Sequence, residues 1–127
     1  MNGTVREWID KAEGDFRTAS REMGASDAPN YDAVCFHAQQ CIEKLLKAVL
    51  IREEVLVPRI HNLGRLYELL HDKIPELSLE SEKLLFLTNV GMATRYPGES
   101  ADADDATETL QICQNIRKIL LGMIDSD

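Results

Sequence analysis

The stretch "HAQQCIEKLLKAV", from His37 to Val49, decides the fold. On an α-helix, at about 100° per residue, His37, Gln40, Glu43, Lys44 and Lys47 share about 120° of arc, with Ala33 and Phe36 among them. Val34, Cys35, Ala38, Cys41, Ile42, Leu45, Leu46, Ala48, Val49 and Leu50 cover the rest of the circumference. A helix apolar on so many sides sits at the centre of a bundle. Its polar stripe must then face a groove, a partner chain or a narrow strip of solvent.

Helical periodicity extends outward from this segment, and no alternating strand pattern appears. Breaks are expected at Gly24–Pro29, Pro58–Asn62, Pro75–Ser78 and Tyr96–Ala101. They leave five helices, over about residues 4–22, 29–53, 62–73, 79–94 and 101–124. The first carries a stripe of Val5, Trp8, Ile9, Ala12, Phe16 and Ala19 with Asp15 inside it. A buried carboxylate needs a partner, so Asp15 is expected to bond a neighbouring helix. Pro29 suits the first turn of the second helix. Leu63, Leu66, Leu69 and Leu70 point the third inward. Ser78 is the expected cap of the fourth, with Glu80 and Glu82 near its positive end. The fourth stops before Tyr96-Pro97, where proline disfavours helical geometry.

The fifth helix concentrates its acids in its first turns. Its main stripe is Ala106, Leu110, Cys113, Ile116, Leu120 and Ile124. Ile112, Ile119 and Met123 widen the apolar arc to about 200°, and Arg117 lies inside it. Two adjacent apolar stripes suggest an intrachain face beside an oligomer face, hence a homodimer.

A chain of 127 residues suits one domain, residues 1–127. No apolar run approaches the roughly 18 residues of a membrane span, and the N-terminus has no signal-like apolar region. The net charge of −8 opposes extended nucleic-acid binding, although a small local basic site remains compatible with it. Cys35, Cys41 and Cys113 are odd in number and form no CxxC, so they read as buried reduced thiols of a cytosolic protein. None of His37, His61 and His71 has a partner at metal-ligand spacing. No glycine-rich phosphate loop and no GxSxG occur. Neither a metal nor a cofactor is expected.

Three polar clusters remain. In the stripe of the second helix, Glu43 and Lys47 stand i, i+4 in the favourable order, as do Gln40 and Lys44 in spacing. This is a solvated face or a site. "PRIHNL", Pro58 to Leu63, places His61 at a helix start, where it would cap, pack or meet an anion. "TRYPG", Thr94 to Gly98, joins Arg95, able to hold carboxylate or phosphate bidentately, to Tyr96, able to stack on a base. An interhelical salt bridge with a packed ring is the alternative there.

The order of these segments is specific. "WIDKAEGDFRTA" resembles the pattern W-x-x-x-A-x-x-D-ϕ-x-x-A, "FHAQQCIEKLLKAVL" resembles fhaQQaaEKalKAll, "IHNLGRL" resembles tHdLxxL, and "TRYPG" resembles xRYP. Together, from Trp8 to about Ile124, the chain resembles the HEPN family (higher-eukaryote and prokaryote nucleotide-binding domain). The resemblance implies an all-α, up-and-down antiparallel bundle of about five helices that usually dimerises. It implies a bacterial or archaeal cytosolic protein, often paired with a small nucleotidyltransferase, in some cases as a toxin–antitoxin pair. Carried over by position, the polar signature falls on Asp15, His37, Gln40, Glu43, Lys44, Lys47, His61, Arg95, Tyr96 and Pro97.

Many members are metal-independent ribonucleases, marked late in the domain by an arginine followed a few residues on by histidine. Arg95 has no such histidine after it. Arg65 and His71 have nominal spacing, but they stand early and point about 120° apart on a helix. The expected function is therefore non-catalytic: a nucleotide or a nucleotidyltransferase partner would bind a groove of Gln40, Lys44, Lys47 and Arg95, with Tyr96 shaping it and Glu43 orienting the lysines. Two alternatives stand beside it. One is a divergent ribonuclease using Arg95 with His61 or His37. The other is a polar signature that only stabilises a dimeric partner protein.

Overall fold

The computed structural model describes residues 3–125. Its helices are α1 (Gly3–Met23), α2 (Tyr31–Arg52), α3 (Leu63–Glu68), α4 (Ser81–Ala93) and α5 (Ala103–Asp125), with a 3-10 segment at Pro75–Glu80 before α4. No strand occurs among the described residues. α2 is the hub: it packs against α1, α3, α4 and α5.

Side-chain pairs give the directions. Asp15 meets Lys44, while Glu22 accepts from the Asn30 amide, so α1 and α2 run antiparallel. Gly91 abuts Gln39 and Arg95 covers Phe36, so α4 is also antiparallel to α2. Arg117 of α5 reaches Glu13 of α1, and Ala106 packs with Ala19 further up that helix. The chain therefore rises and falls in turn, as an up-and-down bundle. The core follows the apolar side of α2: Ala38, Cys41, Ile42, Leu45, Leu46, Val49 and Leu50 are buried with Leu66, Leu84, Leu87, Ile116 and Leu120. Cys35, Cys41 and Cys113 are free and buried.

Several boundaries differ from expectation. α2 starts at Tyr31, not 29, because the Asn30 side chain accepts from the Ala33 amide and caps the helix; Pro29 stays outside. α3 ends at Glu68, not 73. Its continuation tightens into i, i+3 bonds at Leu69, Leu70 and Lys73, and Ile74 before Pro75 is not helical. Ser78 caps nothing: it lies within the 3-10 segment, and α4 opens at Ser81 without a side-chain cap. α5 starts at Ala103, where the Asp102 and Asp105 carboxylates each accept the other's backbone N–H. That reciprocal pair is a capping box made from two aspartates.

The second stripe of α5 is largely used within the chain. Ile112 is buried in the core, and Ile119 and Met123 are half-buried against it. Exposed large apolar side chains lie on α4 and just beyond it, at Leu85, Met92 and Tyr96, and also at Leu56, Leu79 and Leu69, the last against the inward position expected of it. Leu85 and Met92, seven residues apart, share one face of α4, and Tyr96 lies in the turn beyond it.

Gly91 is required by a close helix approach. A Cβ there would stand 2.7 Å from both Cβ and Cγ of Gln39, atoms too near the backbone to swing aside. Gly91→Ala is expected to lower stability by about 1–2 kcal/mol, the overpacking cost exceeding the helix-propensity gain. Gly14→Ala, in the middle of α1 with only the Arg17 guanidinium at 3.9 Å, should instead raise it by about 0.5–1 kcal/mol. Urea midpoints of the two variants check the opposite signs.

Candidate functional site

The polar arc of α2 is organised around two carboxylates. Asp15, buried on α1, receives Lys44 Nζ on Oδ2 at 2.6 Å and has His37 Nδ1 2.8 Å from Oδ1. The stripe aspartate thus ties α1 to α2, as a carboxylate in an apolar face must. Glu43 is more deeply enclosed, its side chain only 5% exposed. Lys47 Nζ donates to its Oε2 at 3.1 Å, and Gln39 Nε2 donates to Oε1 at 3.0 Å. His61 Nδ1 lies 3.0 Å from Oε2. Gln39 Nε2 also donates to the His61 carbonyl at 3.2 Å, and Gln40 Nε2 donates to Gln39 Oε1 at 2.8 Å. Lys47 Nζ sits 5.8 Å from the centre of the Trp8 ring.

Burial alone would raise the Glu43 carboxyl, but the hydrogen bonds from Gln39, His61 and Lys47, with the Lys47 charge, outweigh it and hold the group below its ordinary value. Glu43 is therefore ionised at neutral pH and can only accept. The bond to this carboxylate therefore needs a proton on His61 Nδ1, and the other ring nitrogen, Nε2, makes no hydrogen bond among the described residues. The His61 side chain is 68% exposed, so this nitrogen faces solvent from a buried anchor.

Arg95 and Tyr96 lie elsewhere. The Arg95 guanidinium lies 5.6 Å from the Phe36 ring centre, and both residues line a cavity of about 440 Å³ with Asn30, Asp32, Ala33 and Thr94. Tyr96 is exposed beside it. Pro97 is exposed in the same turn, and Gly98 closes it at φ +93°, a conformation that favours glycine. Phe36 and Lys47 are eleven residues apart, about 16 Å along α2. Arg95 and Lys47 thus occupy different levels of the helix. Arg117 is held by Glu13 through two bonds, 2.9 and 2.6 Å, over the Phe16 ring at 4.2 Å. The Glu13 carboxylate pushes its guanidinium up, despite partial desolvation. His71 bonds the Glu68 carbonyl and Asp72, beyond the end of α3 and away from Arg65.

The main residue missing from the sequence reading is Gln39. It lies about 40° outside the edge of the polar arc. Its signal was Gly91 on another helix, the small residue that lets α4 approach closely enough to enclose the amide. No group of three or more His, Cys, Asp or Glu side chains among the described residues could hold a metal ion.

A HEPN domain model matches residues 5–123. The chain belongs to the HEPN family. Its structure is similar to that of TT1696 from Thermus thermophilus, with a TM-score of 0.83, 21% identity, and coverage of 96% of this chain and 99% of that one. At that identity the likeness concerns the fold. No curated protein matches the sequence. No helix among the described residues is long and apolar enough to cross a membrane.

Breaking a buried ion pair leaves an uncompensated charge. Lys47→Ala should therefore cost this HEPN domain about 3–5 kcal/mol, whereas replacing the exposed Arg95 by alanine should change stability by less than about 0.5 kcal/mol. The pH dependence follows from the depressed Glu43 group. Its stabilisation is present above the ordinary carboxyl value of 4.5 and is lost as pH falls through the lower folded value. Urea unfolding at a series of pH values should show a loss of stability below that value, with a shallower slope in Glu43→Gln.

Proposed function

We propose that this chain is a non-catalytic HEPN module. It is a homodimer that binds a nucleotide or a small nucleotidyltransferase encoded beside it, as one half of a toxin–antitoxin pair. The observation that carries the reading is the Arg95 guanidinium, which lies on the Phe36 ring at the mouth of a cavity without a carboxylate partner among the described residues. A guanidinium 5.6 Å from a ring centre, with no carboxylate partner among the described residues, suits a phosphate or a partner carboxylate. Tyr96 offers a ring beside it, and Gln40 and His37 extend the polar surface along α2. Lys44 and Lys47 act from within, neutralised by Asp15 and Glu43. The exposed Leu85, Met92 and Tyr96 supply the face for a second copy.

Calorimetric titration with a panel of nucleotides, and with the neighbouring nucleotidyltransferase, tests this. One of these should bind, and Arg95→Ala should weaken it at least ten-fold with the fold intact. If neither binds, the reading fails. Sedimentation at micromolar concentration should give a dimer that Met92→Asp dissociates; a monomeric wild type removes the homodimer from the proposal.

The Glu43–His61 dyad favours a second reading, a divergent metal-independent ribonuclease. A carboxylate-oriented imidazole with Nε2 free in solvent can act as a general base, and Arg95 would be asked to stabilise phosphate charge. It predicts RNA cleavage that falls at least a hundred-fold, by roughly the size of a general acid–base effect, in His61→Asn and also falls in Arg95→Ala. Cleavage unchanged in both variants removes it.

A further inference from the structure

We propose that the exposed face of α4 docks on the same face of a second copy, antiparallel, with Asn89 of each copy on the two-fold axis. This rests on the homodimer proposed above and specifies how it is built.

No charged residue stands between Lys83 and Arg95, so nearly the whole of α4 is uncharged. Leu84, Leu87, Thr88 and Gly91 are buried against the rest of the bundle, and Phe86 and Val90 are half-buried. The remaining side stays open: Glu82, Leu85, Asn89 and Met92 are exposed and fall within about 80° of arc. Arg95 and Tyr96 continue the winding past the end of the helix, their amides bonding the Met92 and Ala93 carbonyls at 3.2 and 3.3 Å. A helix with apolar residues on every side is one that is covered on every side.

The order of the exposed residues points to the cover. Glu82, Leu85, Asn89, Met92 and Tyr96 are three, four, three and four residues apart, the spacing of a coiled-coil seam. The seam is symmetric about Asn89. Leu85 and Met92 flank it with apolar side chains, and Glu82 and Tyr96 each stand seven residues away. Two copies that cross antiparallel at Asn89 bring Leu85 against Met92 of the partner subunit. They bring Glu82 against Tyr96 of the partner subunit, whose hydroxyl can donate to the carboxylate. Glu82 is available for this, because Lys83 pairs with Glu80 at 3.2 Å and Glu82 forms no ion pair among the described residues. Parallel pairing would set Glu82 on Glu82 and Arg95 beside Arg95, like charge on like, with the helix dipoles aligned instead of opposed. A partner of unrelated sequence would require no such symmetry.

Asn89 is the polar residue between the two apolar layers, and its side-chain amide makes no hydrogen bond among the described residues. An amide both donates and accepts, so two copies on one axis can bond each other reciprocally. A polar side chain at a single seam position specifies register at a cost in stability. The Arg95 guanidinium lies by Phe36, so the seam uses only its neighbour Tyr96.

Disulfide trapping tests the register. Cys35, Cys41 and Cys113 are free and buried, so mild oxidation of the native protein gives a low background. Leu85, Asn89 and Met92 are exposed, so single cysteine variants there should keep the wild-type circular dichroism and sediment as dimers. Most of Asn89→Cys should become covalent dimer, while Gln111→Cys, exposed on α5, should not. Leu85→Cys should cross-link with Met92→Cys once the two have been mixed and have exchanged subunits, and not with itself. The register is overturned, with the homodimer left standing, if a dimeric Asn89→Cys gives no covalent dimer. Self-cross-linking of Leu85→Cys, the mark of a parallel pairing, does the same. A monomeric wild type overturns both. A monomer whose Asn89→Cys thiol is shielded from maleimide by the neighbouring nucleotidyltransferase would give this face to that partner and overturn the self-docking.

Discussion

A carboxylate enclosed in a helical core sets the terms for the rest of this molecule. Glu43 sits on the most surrounded helix, and water no longer reaches it. Stripping solvent from an ionised group costs several kcal/mol unless charges and donors replace it. Lys47, Gln39 and His61 make that replacement, and each constrains a different piece of chain. Lys47 pairs with Glu43 one turn further along α2 itself. His61 pins the end of the loop between α2 and α3. Gln39 draws α4 close, because its amide can be enclosed only where Gly91 presents no side chain. Asp15 repeats the arrangement with His37 and Lys44, and so registers α1. Two ion clusters thus hold α1, α4 and the loop against the one helix they share.

Much of this was legible in the order of residues. The apolar circumference of α2 announced a central helix, and the i, i+4 spacing of Glu43 and Lys47 announced their pairing. Asp15 inside an apolar stripe required a partner on another helix, and it has two. What could not be read were pairings between segments far apart in the chain. Periodicity reports the direction of a side chain on its own helix, not the element that will lie opposite. Gln39 was overlooked because its role depends on Gly91, fifty-two residues later. The separation of Arg95 from Lys47 along α2 could not be read for the same reason. Both are cations at signature positions, but Arg95 meets α2 at Phe36, far from Lys47 along the axis. Helix ends were misjudged where caps compete, as at Asn30 against Pro29 and at Asp102.

The distinction that matters for function is between polar groups used up by folding and those left over. A lysine on a buried glutamate cannot also take a phosphate without abandoning a charge in the core. Lys44 and Lys47 are therefore poor anion ligands in the folded state, despite their place in the signature. Arg95 carries no such obligation. Among the described residues its guanidinium has no carboxylate partner, and it lies 5.6 Å from the Phe36 ring centre.

His61 belongs to both groups at once. Its Nδ1 completes the shell of Glu43, and its carbonyl accepts from Gln39, so the backbone at this position is as fixed as the core. Its Nε2 lies outside. A side chain anchored on one edge and free on the other transmits the state of the buried network to the surface. Protonation of the free nitrogen would place a full positive charge against Glu43, and loss of Glu43 would release both the ring and the loop that carries it. The same geometry that makes the imidazole a structural latch is what makes it chemically competent. Stability and reactivity at this position therefore cannot be separated by removing the ring. They can be separated only by keeping the Nδ1 bond while altering Nε2. That condition makes His61→Asn, whose amide can still donate toward Glu43 but offers no basic nitrogen, the informative replacement.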